Sequence, residues 1–97
     1  MKLDTTQAIL TPDGSAMKDG SGDPATLRSM LMMGLLAGEQ SDNGEMKYTK
    51  ARLAMRIQDN DEVEVDAGEV VMMKKACEIL NPWPYMRVCD MIDPKRS

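Results

Sequence analysis

Between Glu45 and Leu80 the chain carries two amphipathic segments, GEMKYTKARLAMRIQ and DAGEVVMMKKACEIL, separated only by the acidic connection DNDEVEV. The rest of the chain is expected to serve as covering for that pair. The second segment is the better marked. Asp66 followed by Glu69 matches an N-terminal capping pattern, with acidic side chains at the positive end of the helix. At about 100° per residue, Val70, Met72, Met73, Ala76, Cys77, Ile79 and Leu80 fill one broad arc and Lys74, Lys75 and Glu78 the other. Asn81-Pro82 is the expected stop. In the first segment Met46, Leu53 and Ile57 form a narrower stripe with Ala54 at its edge. Lys50 falls near that stripe and has to snorkel. Gly44 and Asn60 are the expected limits.

At 97 residues the chain has the length of one domain, with an arm over residues 1–22, a helical core over 23–93 and a frayed tail over 94–97. The residue inventory narrows the chemistry. There is no histidine and no phenylalanine, whereas methionine occurs eleven times. The core is therefore aliphatic and thioether-rich, which makes it adaptable. The missing imidazole removes Ser-His, Cys-His and Cys/His-zinc arrangements. Cys77 and Cys89 have neither CxxC nor zinc-knuckle spacing and are expected as buried free thiols. No catalytic residue, metal ligand set or cofactor motif is assigned, and an enzyme is not expected. The net charge is −4 and the calculated pI about 4.7, which argues against coating nucleic acid or an anionic membrane. Charge is uneven: six acidic and no basic residues lie between Asp59 and Glu69, but four basic and one acidic between Glu45 and Gln58. The longest apolar run, Met30 to Ala37, is far shorter than the roughly twenty residues of a membrane span. No signal peptide is expected, since Asp4 interrupts MKLDTTQAIL before an apolar run begins.

Towards the N-terminus, Lys2–Leu10 and Ala16–Lys18 flank TPDG, a favourable turn with Pro at its second position, so a small β-hairpin or extended arm is expected. Asp19–Pro24, DGSGDP, reads as a loop. Its likeness to a calcium-binding GGxGxD repeat carries little weight, because the repeat occurs once and such sites need stacked copies. Asp23-Pro24 is expected to open the next helix as N-cap and N1, continuing from Thr26 to Ala37 with Gly38 as the stop. This helix is apolar nearly all round. The expectation is a central helix buried on every side; the alternative is a methionine-rich contact surface at Met32, Met33 and Leu36.

Val63-Glu64-Val65 has the alternation of a very short strand that pairs with the N-terminal arm. The preceding Asp59, Asp61 and Glu62 fail as an EF-hand, because Val63 and Glu64 replace an oxygen ligand and the turn glycine, and Val70 the bidentate glutamate. A solvated acidic linker is the simpler explanation. The last helix is expected over Tyr85–Ile92, introduced by Pro82-Trp83-Pro84. Trp83 is expected to cover the core; an exposed Trp83–Tyr85 pair would instead be an interaction anchor.

Taken together, the Leu-Asp start, the PDG turn, the TLxxxL helix ending in LLAG, GEMKYTKARLAMRI, the acidic Val-x-Val-Asp-x-x-Glu segment and NPWPYMRVCDMID resemble a set of small proteins encoded by tailed bacteriophages and prophages. Their corresponding helices read "TLG…LLA", "GEEK…R…LA..I" and "P…A..LID". This chain differs in its many methionines and in WPYM where the set has small aliphatic residues. The resemblance implies a phage origin and action in the bacterial host cytoplasm or during virion assembly.

The fold expected is mainly α (α+β), an N-terminal hairpin or arm followed by about four helices packed through Leu27, Leu31, Leu35, Leu53, Ile57, Val70, Met73, Ala76, Leu80, Val88 and Ile92. The function expected is non-enzymatic protein binding through Met32, Met33, Leu36, Trp83 and Tyr85, towards a phage structural or assembly component, a host protein or a second copy of the chain, with no membrane partner. One alternative is a nucleic-acid regulator using Lys47, Lys50, Arg52 and Arg56, which helical projection spreads apart. The other is an acidic surface at Asp59, Asp61, Glu62 and Glu64 imitating a phosphate backbone to block a host nuclease or polymerase.

Overall fold

A computed structural model describes residues 1–94; Lys95, Arg96 and Ser97 of the expected tail lie outside the described residues. Strand β1 (Lys2–Asp4) is followed by two tight loops, then α1 (Leu27–Ala37), α2 (Gly44–Asp59), β2 (Glu62–Glu64), α3 (Ala67–Ala76), a 3₁₀ turn (Cys77–Ile79) and α4 (Pro82–Ile92). This is a mainly α architecture of four helices with a small antiparallel β element at the N-terminus. No helix among the described residues is long and apolar enough to cross a membrane.

The short strand expected around Val63 does pair with the N-terminal arm. Lys2 faces Glu64, Leu3 faces Val63 and Asp4 faces Glu62, so the alternation buries Leu3 and Val63 and leaves the charged residues outside. The TPDG turn forms as well: Leu10 bridges Ala16, Thr11 N–H donates to Ser15 O (2.8 Å), and Gly14 N–H donates to Thr11 O (2.9 Å). Gly14 has φ 88°, a left-handed conformation that a side chain would strain.

The next loop departs from expectation. Instead of opening a helix at Asp23-Pro24, the chain repeats the turn eight residues later, with Lys18 bridging Pro24, Asp19 N–H on Asp23 O (2.8 Å), Gly22 N–H on Asp19 O (3.1 Å) and Gly22 again at φ 88°. A third bridge, Ala8 to Thr26, closes the base. Ile9, Met17 and Ala25 then stand at a three-way junction joined by a ring of backbone bonds: Ile9 N–H to Ala25 O (3.0 Å), Ala25 N–H to Met17 O (2.7 Å) and Met17 N–H to Ile9 O (2.9 Å). Pro24 is tolerated because the ladder is donated by Asp19 and Ala25 on either side of it. Helix α1 starts instead at Leu27, where Thr26 and Ser29 cap each other reciprocally.

The remaining caps follow local chemistry. Asn43 accepts from Met46 N–H (2.8 Å) at the start of α2, and Asp66 and Glu69 form the expected capping box of α3. The α-helical part of α3 ends at Ala76, earlier than expected, and tightens into the 3₁₀ turn before Leu80 becomes extended. Helix α4 starts earlier than expected, at Pro82, since proline is acceptable in a first turn where N–H groups have no helical acceptor.

Leu27, Leu31, Leu35, Leu53, Ile57, Met73, Ala76, Val88 and Ile92 are buried, while Val70 and Leu80 are partly buried against the same core. Leu3, Ile9, Ala25, Met30, Val63, Val65 and Cys77 join it, so the β elements and the loop junction form one side of the helical core.

Candidate functional site

Helix α1 crosses the core, yet it is not buried all round. Its inward arc holds Leu27, Met30, Leu31, Gly34 and Leu35, all buried. On the outward arc Met32 is partly buried against the core, while Met33 and Leu36 are 49 % and 58 % exposed. Helical geometry places these three within about 100° of arc. The expectation of a helix enclosed on every side therefore does not hold: α2, α3, the 3₁₀ turn and α4 all meet α1 without closing around it, and Met33 and Leu36 each retain roughly 1 kcal/mol of unused transfer energy.

Helix α2 packs beside α1. Arg28 at the start of α1 donates from Nε to Ile57 O (3.0 Å) at the end of α2, whereas Leu36 and Ala37 share a groove of about 260 Å³ with Lys47 and Ala51 near its start. The two helices are thus antiparallel. Tyr48 and Met55, 62 % and 56 % exposed, are three and four residues from Ala51 and extend its face outward. Met55 and Tyr48 stand on the arc of α2 opposite its buried residues Leu53, Ala54 and Ile57.

The four cations proposed for nucleic acid are not brought together. Lys50 is buried and its Nζ lies 2.7 Å from Asp42 Oδ2, with side-chain exposures of 7 % and 8 %. The expected snorkelling is replaced by a buried ion pair, and the hydrogen bond from Lys50 holds the Asp42 carboxyl below its ordinary range. Asp42 also accepts from Glu39 N–H (3.1 Å), so the pair fixes the connection between α1 and α2. Arg56 is drawn to α3, 2.6 Å from Glu69 Oε2. Lys47 and Arg52 stay exposed, Lys47 close enough to Asp42 to help lower its pKa; the Arg52 guanidinium lies 5.2 Å from the Tyr48 ring centroid and its Nε donates to Tyr48 Oη (2.9 Å).

The acidic set is partly occupied. Asp61 pairs with Arg28 (2.8 Å), Glu62 faces Lys2 at 3.6 Å, and Glu64 accepts from the Met1 ammonium at 2.9 Å, which lowers its pKa. Asp59 is exposed at the end of α2. In the DGSGD loop, Asp19 Oδ1 receives Ser21 N–H (2.9 Å) and Asp23 N–H (3.1 Å), so it fastens its own turn. No three potential metal-ligating side chains converge among the described residues.

Trp83 and Tyr85 are both partly buried. The Trp83 indole N–H donates to Leu10 O (2.7 Å), tying the start of α4 to the first N-terminal loop, and Tyr85 packs against the core. Cys77 and Cys89 are buried free thiols; desolvation pushes Cys77 up to about 12, with Cys89 adding to the effect, so it is a thiol at neutral pH.

Sequence reasoning located the exposed residues of α1 through its surplus of apolar residues; the exposed Tyr48 and Met55 of α2 fall outside the inward stripe of their helix and carry no motif. Compared with known proteins, the chain matches no family model, no curated protein and no solved structure.

Proposed function

We propose that the chain works without catalysis, as a binding module whose α1 surface at Met32, Met33 and Leu36 docks on another polypeptide. The observation that carries this reading is the exposure of Met33 and Leu36 in the helix that otherwise lines the core. Adaptable thioether side chains suit a contact surface that must repack around its partner. Trp83 and Tyr85, partly withdrawn into the fold, act mainly as support. Under the same proposal the chain is an accessory protein of a tailed phage, acting in the host cytoplasm on a virion or tail-assembly component or on a host protein; the spacing it shares with such proteins supports this.

Affinity capture from bacteria expressing the tagged chain, read by mass spectrometry, tests the binding role. A protein retained by the wild type and released by the double substitution Met33→Lys/Leu36→Lys, with circular dichroism unchanged, is the expected result. Identical retention by the two forms, or no specific retention, would count against it.

A further inference from the structure

The fold sorts the methionines of this chain by their access to solvent. Met30 and Met73 are 4 % and 0 % exposed in the core, whereas Met33, Met46, Met55 and Met86 are 49 %, 40 %, 56 % and 42 % exposed. Met30 and Met33 belong to the same helix, so two identical thioethers one turn apart meet different surroundings. That difference governs their reaction with peroxide. A sulfur lone pair attacks one oxygen of hydrogen peroxide and the O–O bond breaks. The attacked oxygen stays on sulfur as a sulfoxide and passes its proton to the departing hydroxide, which leaves as water. Sulfur is oxidised by two electrons and the peroxide is reduced. The reaction needs peroxide at the sulfur, and in the core it would leave a polar S=O group without a donor. The thiols do not compete at the surface: Cys77 and Cys89 are both buried, and Cys77 is held protonated.

We infer that Met33 is a reversible oxidation site: hydrogen peroxide converts its side chain to the sulfoxide in the folded protein, and the change weakens docking through α1. The inference rests on the docking role proposed above and adds its regulation. Position singles out Met33 among the four. It stands one turn before the exposed Leu36 on the same outward arc, so its sulfoxide sets a strong hydrogen-bond acceptor into the apolar surface. Met46 lies in the first turn of α2, Met55 on the arc of α2 opposite its buried residues, and Met86 in α4. Oxidation at those three leaves the outward arc of α1 as it was. Met32, the other thioether of that arc, is partly buried against the core and is reached more slowly. Methionine sulfoxide reductases return the sulfoxide to the thioether, which makes the change a switch.

The tagged chain is treated with graded hydrogen peroxide, cleared with catalase and then offered to bacterial lysate, so that the partner itself meets no oxidant. Peptide mass spectrometry should find one added oxygen on Met33, Met46, Met55 and Met86 before any on Met30 or Met73, with circular dichroism unchanged. Specific retention should be lost in step with oxidation of Met33 and recovered after treatment with methionine sulfoxide reductases. Met46→Leu/Met55→Leu/Met86→Leu should leave that loss in place. Met33→Leu, whatever its starting retention, should retain the same amount before and after peroxide. Oxidation of Met33 no faster than that of Met30 and Met73 overturns the site. Retention that survives complete oxidation of Met33, or a Met33→Leu chain as peroxide-sensitive as the wild type, overturns the switch and leaves the docking role standing. An untreated chain that retains nothing overturns the docking role itself, and the switch with it.

Discussion

Gly34 shows how one residue can decide the approach of two helices. A Cβ at this position would stand 3.0 Å from Ala76 O, 3.0 Å from Cys77 Sγ and 3.1 Å from the Ala76 carbonyl carbon. Alanine would gain about 1 kcal/mol of helix propensity but would press on backbone that has little room to yield, and overpacking costs about 1–3 kcal/mol. Gly34→Ala should therefore lower stability by roughly 1 kcal/mol and Gly34→Val by about 3 kcal/mol in urea denaturation. A higher midpoint for Gly34→Ala would show that α1 and α3 can move apart freely. Lys50 makes a related point: its position near the apolar stripe was legible, but not its carboxylate partner, which comes from the connection preceding α2.

Among the elements, those with local caps were read most accurately. Asp66 and Glu69 fix the start of α3 within four residues, so sequence suffices. The N-terminal arm shows the opposite. TPDG was recognisable as a turn, whereas DGSGDP became a second hairpin in which Pro24 bridges Lys18 and the following Ala25 bonds to Met17 and Ile9, a pairing across segments that no single stretch encodes. Asp13 supports the first loop by accepting from the Ser15 hydroxyl (2.6 Å), from the Thr11 hydroxyl and from Ser15 N–H (3.0 Å), which lowers its pKa from an ordinary 3.8 to about 2. A depressed carboxylate contributes stability that is fully present above pH 3.8 and is lost as pH falls through about 2. Carboxylate carbon NMR should place the Asp13 midpoint near 2, and Asp13→Asn should remove its share of the acid dependence. A midpoint at the ordinary value would mean that the turn does not depend on the ionised carboxylate.

At the scale of the molecule, Arg28 and Thr5 join the β element to the helices. Arg28 donates to Ile57 O and Asn60 O (both 3.0 Å) and to Asp61 Oδ1 (2.8 Å), while buried Thr5 donates its hydroxyl to Asp61 O (2.9 Å) and its N–H to the same carbonyl (2.8 Å). Together they satisfy the carbonyls at the end of α2, where no glycine provides a conventional stop. Arg28→Met should cost about 2–3 kcal/mol, since hydrogen bonds to a charged donor are among the stronger ones, and should accelerate amide exchange at Leu3 and Val63. Arg28→Lys should restore little of this, because a single ammonium cannot span acceptors that the planar guanidinium reaches together. Unchanged exchange in Arg28→Met would show that the strand pair stands without this tie. No motif in the sequence singles out Arg28.

Periodicity, caps and turn residues alone determined that this chain is mainly helical, where α2 and α3 begin, that residues 62–65 contain a strand, and which residues line most of the core. Those features depend on neighbours within a turn or two, so the amino-acid order is enough to specify them. Tertiary structure decided that Lys50 and Arg56 are ion-paired, that the arm closes into a three-way junction, and that Met33 and Leu36 face outward. The reason is that a helix apolar on all sides does not indicate how many neighbours it has. Exposure depends on packing among distant segments: here α2, α3, the 3₁₀ turn and α4 all meet α1 and still leave Met33 and Leu36 exposed.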